Sequence, residues 1–361
     1  MQYDTEYMRK VLTLAKKGQG HVHPNPLVGS IIVKNRHILG QGLHQKYGES
    51  HAEVNAIKSA KESPEGATMF VNLEPCTYHG KTPPCVPAII ESGIEKVVIG
   101  MRDPNPKVDG MGIRQLREAG IEVIVGVLEQ EARELNRGFV HQIQHGYPWV
   151  TLKIALTIDG FMADNDGTSK WITNRESRQE VHRLRAEHDA ILIGSGTAVK
   201  DNPQLTVRSV EGQSPVRFIL DPERRTPESA QVFRIDEAET VVVTAANSGN
   251  GQSGITEFPN EILLPVNESN QFDWGDVLAA LYKNRGILSV FVEGGSGVAG
   301  TLLESGYVTE LITMTGPKLI GQGLSPFKSM QRTMQKAEHW KIHKLSQFGD
   351  DVCVRYRRED L

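Results

Sequence analysis

Residues 51–76, HAEVNAIKSAKESPEGATMFVNLEPC, place a helix-like segment directly before an apolar run. HAEVNAIKSAKES is predicted to be a helix, and ATMFVNLEP has the length and apolar character of a buried strand. The same alternation extends to both sides through predicted helices at 4–18, 85–93 and 112–120 and predicted strands at 27–33, 96–101 and 121–128. Alternating helices and strands of this kind predict an α/β/α domain.

A second α/β domain is predicted in the remainder of the chain. Residues 139–148, FVHQIQHGYP, form a polar break that contains Gly146 and Pro148, and an apolar strand begins immediately after it. We therefore expect one domain at 1–145 and another at 146–361, which suits a chain of 361 residues. Within the second domain, ANSGNGQSGITEFPNE at 246–261 is predicted to be a surface loop.

Composition excludes several classes of protein. With 39% hydrophobic and 23% charged residues the chain is typical of a folded globular protein. Residues 1–146 hold 17 Lys+Arg against 16 Asp+Glu, and the rest holds 23 against 28, so neither half is a basic, nucleic-acid-binding module. We expect no membrane partner and a cytoplasmic location, because no long apolar run or signal-like leader is present. We also expect a homo-oligomer.

The strongest local signal is a set of metal-ligand residues. His51 and the cysteines Cys76 and Cys85 offer the nitrogen and sulfur ligands that zinc prefers, and three protein ligands leave a fourth position open for water. Zinc lowers the pKa of such a water to about 7. Glu53, two residues beyond His51, is then available to carry protons, and the pattern predicts one catalytic zinc per chain.

Other interpretations of these residues remain open at this point. Zinc deaminases of nucleobases carry H-x-E with P-C-x-x-C, whereas eight residues separate the two cysteines here. A structural zinc with His79 as fourth ligand, or two unrelated buried cysteines, would also account for the residues. The open catalytic site is favoured because a structural site gives Glu53 no role.

Two glycine-bearing strand ends stand out in the second half. ILIGSGTAV at 191–199 and VFVEGGSGVAG at 290–300 each lead from an apolar strand into small residues, where exposed N–H groups bind phosphate. Residues 295–300 match G-x-G-x-x-G, but the following strand lacks the acid that a Rossmann domain places on its ribose. We infer that this half binds a phosphate-bearing cofactor. Because the acid is missing, we do not expect the usual preference of a Rossmann domain for the form of the cofactor that lacks the extra phosphate.

The first half resembles the deaminase part of the bifunctional riboflavin-biosynthesis deaminase–reductases. The similar segments are PNPLVGS (24–30), HAEVNAI (51–57), NLEPCTYHGKTPPC (72–85) and MRDPNPKVDGMGI (101–113). The resemblance implies a cytidine-deaminase-like fold, His51, Cys76 and Cys85 as zinc ligands, and Glu53 as proton carrier. The implied substrate is 2,5-diamino-6-ribosylamino-4(3H)-pyrimidinone 5′-phosphate.

Residues around this zinc site are further candidates for binding that substrate. Asn25, between two prolines, could meet the pyrimidine edge, although a plain turn accounts for Pro-Asn-Pro equally well. Lys81 could hold the phosphate as a point charge. The remaining candidates for hydrogen bonds are His44, His79 and Asn105.

The second half resembles the reductase part of the same family, which implies a dihydrofolate-reductase-like fold and NADPH. The similar segments are 151–163, 169–173, 184–208 and 292–300. The residues implied to contact NADPH are Ala155, Trp171, Thr197, Asp201, Gly295, Ser296, Gly297, Val298, Ala299, Gly300 and Thr301. The residues implied to contact substrate are Ser169, Arg185, Leu205, Arg208 and Glu293. The implied reaction reduces C1′ of the ribosyl group.

Some roles and functions are left undecided by the sequence. Lys153 and Asp159 are both candidates for the proton donor of the reductase. From the residues alone, a helix-surface ion pair with Glu187 or Asp189 explains Arg185 better than a substrate contact does. Two alternative functions are a nucleoside or tRNA deaminase with an unrelated nucleotide-binding domain, and a zinc-stabilised nucleotide sensor without turnover. Near-neutral charge argues against the first, and Glu53 beside an open zinc position argues against the second.

Overall fold

The chain forms two compact units, Met1–Gly146 and Tyr147–Leu361. A computed structural model describes residues 2–234, 236–246, 258–327, 330 and 332–358. Each unit combines helices with one β-sheet, as expected for two α/β units. None of the helices in these ranges is both long and apolar enough to cross a membrane.

The first unit is built on a five-stranded sheet. Its strand order is β2-β1-β3-β4-β5, with β1 antiparallel to both neighbours and β3, β4 and β5 parallel to one another. The strands are β1 (Gly29–Lys34), β2 (His37–Leu43), β3 (Thr68–Leu73), β4 (Lys96–Met101) and β5 (Glu122–Val125). The helices are α1 (Gln2–Ala15), α2 (Ala52–Ser59), α3 (Cys85–Glu91), α4 (Met111–Glu118), α5 (Glu129–Leu135) and α6 (Arg137–His145).

Strand β2 was not expected from the sequence. It is joined to β1 by Asn35 and Arg36, which both have positive φ angles, of 51° and 66°. Two such residues make a tight hairpin turn, but without glycine the turn has a weak sequence signal. On β2, a Cβ at Gly42 would lie 2.3 Å from the Ala52 carbonyl oxygen, so only glycine lets α2 pack this closely on the strand.

Most of the segment expected to be a polar break, 139–148, is helical, although the two units meet within it, between Gly146 and Tyr147. Residues 137–145 form α6, in which Phe139 and Val140 are buried, and the helix ends at Gly146 with a φ of 81°. The sequence FVHQIQH looked polar because four of its seven residues are histidine or glutamine. A short helix needs only one apolar face, so tertiary packing decided this segment.

The second unit is built on a nine-stranded sheet of order β10-β9-β8-β7-β11-β6-β12-β14-β13. Its strands are β6 (Trp149–Leu156), β7 (Ala190–Gly194), β8 (Val216–Leu220), β9 (Thr240–Ala245), β10 (Glu261–Leu264), β11 (Ser289–Glu293), β12 (Glu310–Thr315), β13 (Trp340–Phe348) and β14 (Asp351–Arg358). Its helices are α7 (Arg175–Ala186), α8 (Ser195–Asp201), α9 (Gln231–Arg234), α10 (Trp274–Arg285) and α11 (Ser296–Ser305).

The parallel strands of this sheet end at a common edge. Strands β6 to β12 all run in the same direction, so the carboxyl ends of β6, β7, β8 and β11 lie together at one end of the sheet. Ligands of open α/β sheets bind at the carboxyl ends of parallel strands. The antiparallel pair β13–β14 was not expected, and most of the loop expected at 246–261 lies outside the described residues.

Candidate active sites

Three ligand atoms of the predicted zinc site lie together in the first unit. The side-chain donor atoms of His51, Cys76 and Cys85 are all within 4.8 Å of one another. His51 Nδ1 is 3.2 Å from Cys85 Sγ and 3.4 Å from Cys76 Sγ. One nitrogen and two sulfurs at this spacing fit the tetrahedral coordination of zinc with one position left for water.

Two helix starts and one strand end hold these ligands in place. His51 immediately precedes α2, Cys85 is the first residue of α3, and Cys76 follows β3 by three positions. The backbone N–H groups of Cys85 and Val86 both donate to the Cys76 carbonyl oxygen, at 3.1 Å and 3.3 Å. This turn closes the loop between the two cysteines, so the unusual spacing of the cysteines still brings their sulfurs together.

Glu53 lies beside the three ligands and is buried, with 3% exposure. Its Oε2 atom has no hydrogen-bond partner among the described residues. Burial, with a further contribution from Cys76, raises the pKa of Glu53 to about 7. A buried carboxyl oxygen atom without a hydrogen bond costs free energy unless a ligand supplies the partner. A pKa near 7 suits proton transfer.

The pKa values of the two thiols are shifted in opposite directions. A hydrogen bond from Cys85 lowers the pKa of Cys76 to about 4, and the same bond raises the pKa of Cys85. The hydrogen bond to Cys76 also raises the pKa of His51. A thiolate therefore forms readily at this place, and thiolate is the form of cysteine that binds metal.

Two of the predicted substrate residues lie at this site. Asn25 Nδ2 is 2.9 Å from His44 Nε2, and the His44 ring packs edge-on against the His51 ring with centroids 5.4 Å apart. His44 is buried, and this burial lowers its pKa. A neutral imidazole with its amide partner can offer both a donor and an acceptor to a pyrimidine edge.

The other three predicted substrate residues have different surroundings. His79 and Lys81 are exposed in the loop between the cysteines, and Lys81 Nζ lies 4.1 Å from the centre of the Tyr47 ring. Asn105 Oδ1 accepts a hydrogen bond from the Lys107 backbone N–H at 3.0 Å. Asn105 thus stabilises its own turn, and none of the described contacts joins these three residues to the zinc ligands.

Several neighbours of the site had no sequence signal of their own. Thr82 Oγ1 is 3.3 Å from His51 Nε2. Buried Glu74 accepts the backbone N–H groups of Gly110 and Ile113, at 3.0 Å and 3.1 Å, and so fixes the 101–113 loop. Burial raises the pKa of Asp103, which lies in that loop, to about 7. These residues could have been found only from distances in space.

The second unit contains a cleft of about 1420 Å³ at the carboxyl ends of its parallel strands. The predicted residues that line it are Ala155, Ser169, Trp171, Arg185, Thr197, Asp201, Leu205, Arg208, Glu293, Gly295, Ser296, Gly297, Val298 and Thr301. Ala299 and Gly300 are instead buried within α11, and neither is among the described residues that line the cleft. Residues from strands, helices and loops that are far apart in the chain therefore meet in one cavity.

One wall of the cleft carries a group of cationic side chains around a single carboxylate. Arg185 Nε donates to Glu293 Oε1 at 2.7 Å, and Arg185 Nη1 donates to the Thr206 carbonyl oxygen at 3.1 Å. Burial and the neighbouring Arg185 lower the pKa values of both His182 and Arg208. An excess of positive charge in a partly buried wall favours a phosphate.

The structure separates the two candidate proton donors. Lys153 lines the cleft and stands beside Glu293 in the register of β6 and β11. Burial lowers the pKa of Lys153. Asp159 accepts hydrogen bonds from the Thr157 hydroxyl group at 2.6 Å and from the Gly321 N–H at 2.6 Å. Asp159 thus fixes a loop and is not among the described cleft residues.

Another part of the cleft is suited to a cofactor with phosphates. Helix α11 begins in the cleft after Gly295, and no side chain caps its first N–H groups. A Cβ at Gly294 would lie 2.8 Å from Val298 Cβ, so glycine is needed where this strand end meets the helix. Trp171 is 58% exposed in the cleft, with the Arg178 guanidinium 4.4 Å from its ring centre. These groups fit a dinucleotide.

Family models match both halves of the chain. Residues 1–101 match the cytidine and deoxycytidylate deaminase zinc-binding region, and residues 148–354 match the RibD C-terminal domain. The predicted fold of each half is thereby confirmed. The alternative of an unrelated second domain is wrong, because the second match covers nearly all of that half.

Whole-chain relatives carry both halves together. The riboflavin biosynthesis protein RibD of Aquifex aeolicus is 42% identical over 99% of both chains, and that of Escherichia coli is 38% identical over 97% of this chain and 98% of its own. A crystal structure from Thermotoga maritima, a diaminohydroxyphosphoribosylaminopyrimidine deaminase/5-amino-6-(5-phosphoribosylamino)uracil reductase, is 39% identical, covers 98% of both chains and has a TM-score of 0.86. Acinetobacter baumannii RibD is 34% identical over 99% of both chains, with a TM-score of 0.85.

Proposed function

The chain belongs to the RibD family of bifunctional riboflavin-biosynthesis enzymes, and we propose that residues 1–145 carry its zinc-dependent deaminase and residues 146–361 its NADPH-dependent reductase. The protein is thus both a hydrolase and an oxidoreductase. The single observation that carries the deaminase assignment is a group of three ligand atoms within 4.8 Å of one another, together with the neighbouring buried Glu53, whose Oε2 atom has no hydrogen-bond partner among the described residues.

In the first unit, we assign one zinc ion to His51, Cys76 and Cys85. Bound zinc would supply a water of lowered pKa as the nucleophile at neutral pH. Glu53 Oε2 takes a proton from the attacking water and delivers a proton to the departing amine, so that ammonia leaves and a carbonyl group remains. Because Oε2 has no other partner among the described residues, it is free for both transfers.

Recognition of the pyrimidine is assigned to the surroundings of Glu53. Asn25 and His44 form one hydrogen-bonded pair, and this pair would meet the ring edge together. Lys81 is exposed in the loop between the two cysteines, which suits a point contact with the substrate phosphate. His79 and Asn105 complete the proposed contacts.

In the second unit, NADPH would supply the hydride that reduces the ribosyl C1′. Arg185 and Arg208 would hold the phosphate of the deaminated substrate, because guanidinium groups bind phosphate through paired hydrogen bonds. The remaining proposed substrate contacts are Ser169, Leu205 and Glu293. We assign the proton that accompanies the hydride to Lys153 Nζ, since it lies in the cleft beside Glu293 and burial favours its release.

Two further features support the proposed location and assembly. All three cysteines are free thiols, and the two ligand cysteines must stay reduced to bind zinc, which supports a cytoplasmic location. Strand β13 is the outer strand of its sheet and exposes Ile342 and Leu345, at 63% and 64%. An open edge strand with apolar side chains favours pairing with a second copy, and we propose a homo-oligomer.

One assay tests both activities. The purified chain is given the diaminopyrimidine ribosylamino phosphate, and ammonia release and NADPH oxidation are followed together. We expect ammonia to appear without NADPH and NADPH to be oxidised only after ammonia release begins. No ammonia from a zinc-containing chain contradicts the deaminase assignment, and no oxidation of NADPH with the deaminated compound contradicts the reductase assignment.

A further inference from the structure

The turn that follows β8 presents two neighbouring arginines in opposite ways. Arg224 is 5% exposed, and its Nη1 atom forms an ion pair with Glu261 Oε1 at 2.9 Å. Arg225 is exposed and lines the cleft. Among the described residues, its guanidinium group forms no hydrogen bond or ion pair. One arginine therefore stabilises the fold, whereas the other is open to a ligand.

The backbone of this turn is held rigidly. Buried Asp221 accepts the backbone N–H of Arg225 through Oδ1 at 2.9 Å and that of Thr226 through Oδ2 at 2.7 Å. Arg225 thus starts from a fixed position at the carboxyl end of β8. A fixed backbone reduces the entropy that its side chain loses when it binds an anion.

Arg225, in the turn after β8, is placed to meet the adenosine end of a bound dinucleotide. Strand β6, which carries Ala155 and Lys153, is separated from β8 by β11 and β7. Three steps between neighbouring strands span about 14 Å, which is the scale of an extended dinucleotide. With the nicotinamide over β6 and the pyrophosphate at the start of α11, the adenosine end reaches Arg225.

In the turn that carries Arg225, no described acid lines the cleft. NAD sites use a carboxylate to bind the ribose 2′-hydroxyl group, whereas NADP sites place an arginine near the 2′-phosphate. The acid of this turn, Glu223, accepts a hydrogen bond from Asn270 Nδ2 at 3.0 Å and is not among the described cleft residues. The uncharged residues that line this end of the cleft are Pro222, Asn270 and Gln271. Arg225 therefore supplies the positive charge at this end.

We propose that Arg225 binds the 2′-phosphate of the cofactor's adenosine ribose and so makes the reductase select NADPH over NADH. The inference rests on the proposed reductase function of this unit. Arg225 is a specificity-determining residue in this scheme and takes no part in hydride transfer. Its planar guanidinium group pairs two N–H donors with two phosphate oxygens.

Equilibrium binding to the full chain tests the proposal. Dissociation constants for NADPH, NADH, 2′,5′-ADP and 5′-AMP are measured for the wild type, Arg225→Met and Arg225→Lys. We expect Arg225→Met to weaken the binding of NADPH and of 2′,5′-ADP by about 10–100-fold, which is the effect of losing hydrogen bonds to a charged group. The dissociation constants of NADH and 5′-AMP should change by less than about twofold. Arg225→Lys should recover part of the lost NADPH affinity.

The matched control is Arg234→Met, which removes an exposed arginine at the end of α9 that is not among the described cleft residues. It should leave all four constants unchanged. An equal loss of NADPH and NADH binding in Arg225→Met, or no loss of either, overturns the proposal while the reductase assignment stands. A wild-type chain that binds neither dinucleotide overturns the reductase assignment, and the inference with it.

Discussion

The two candidate sites are built in opposite ways. The zinc site takes its ligands from residues 51–85, a short stretch of chain, and packs them within 4.8 Å of one another next to buried Glu53. The cleft of the second unit takes its lining from residues between Lys153 and Leu324 and remains a cavity of about 1420 Å³. A compact site depends on each of its atoms, whereas a wide cleft shares binding among many groups.

This difference predicts how the sites respond to mutation. In the zinc site, loss of one ligand leaves the metal with too few partners and should abolish the activity. In the cleft, loss of one side chain removes one contact among many, so the effect should appear mainly in one binding constant. The expected effects run from complete loss to a few-fold change.

Removal of a metal ligand should have the largest effect. Cys85→Ser, or chelation of the wild type, should abolish ammonia release and reduce the zinc content from about one per chain to near zero. Oxidation of NADPH with the deaminated substrate should persist. Cys353→Ser is the matched control, because Cys353 is a buried cysteine of the second unit and should leave the zinc content unchanged. An active deaminase without metal would contradict the zinc assignment.

Replacement of the proton carrier should come next. Glu53→Gln keeps the size of the side chain but cannot take a proton, so deamination should fall by roughly 10²–10⁴-fold while zinc stays bound. Zinc content and initial rates are measured together. Glu62→Gln changes an exposed carboxylate of the same unit and should have no effect on either. Turnover of Glu53→Gln near the wild-type rate would reject the role of this residue.

A change in the cationic wall of the cleft should be smaller and selective. Arg208→Ala should raise the KM for the deaminated phosphate by about 10–100-fold, because it removes charged hydrogen bonds. The KM for NADPH should remain within about twofold. Steady-state kinetics with each substrate varied in turn provide the measurement, and an equal rise in both KM values would mean that Arg208 only supports the fold.

The smallest effect is expected at the aromatic wall. Trp171 is more than half exposed, so Trp171→Leu should change the free energy of unfolding by no more than about 0.5 kcal/mol. Loss of ring contact should weaken NADPH binding by about 3–10-fold. Thermal unfolding and equilibrium binding check the two statements, and an unchanged dissociation constant would remove Trp171 from the cofactor site.

The sequence predicted the compact site better than its surroundings. His51, Glu53, Cys76 and Cys85 lie in short motifs, and their chemistry restricts what they can do, so their meeting could be inferred before any distance was known. The unexpected elements have weaker local signals. The turn at Asn35 lacks glycine, and the buried face of α6 contains only a few apolar residues, so packing with distant strands decides both.

The cleft was less accessible to sequence reasoning because its neighbours in space are far apart in the chain. Arg185 looked like a charge on a helix surface, yet it contacts Glu293 and Thr206. Lys153 and Asp159 could not be ranked, since only the register of β6 and β11 places Lys153 beside Glu293. The glycine motif at 295–300 marked the correct strand end, but a motif cannot tell which of its residues face the cleft.

The central claim is that each unit performs its own reaction, and one measurement on the full chain tests it most directly. The Glu53→Gln variant is given either the diamino substrate or the deaminated phosphate, and NADPH oxidation is recorded for each. We predict oxidation at the wild-type rate with the deaminated phosphate and almost none with the diamino substrate. Loss of NADPH oxidation with both compounds, in a folded chain that retains zinc, would contradict the claim.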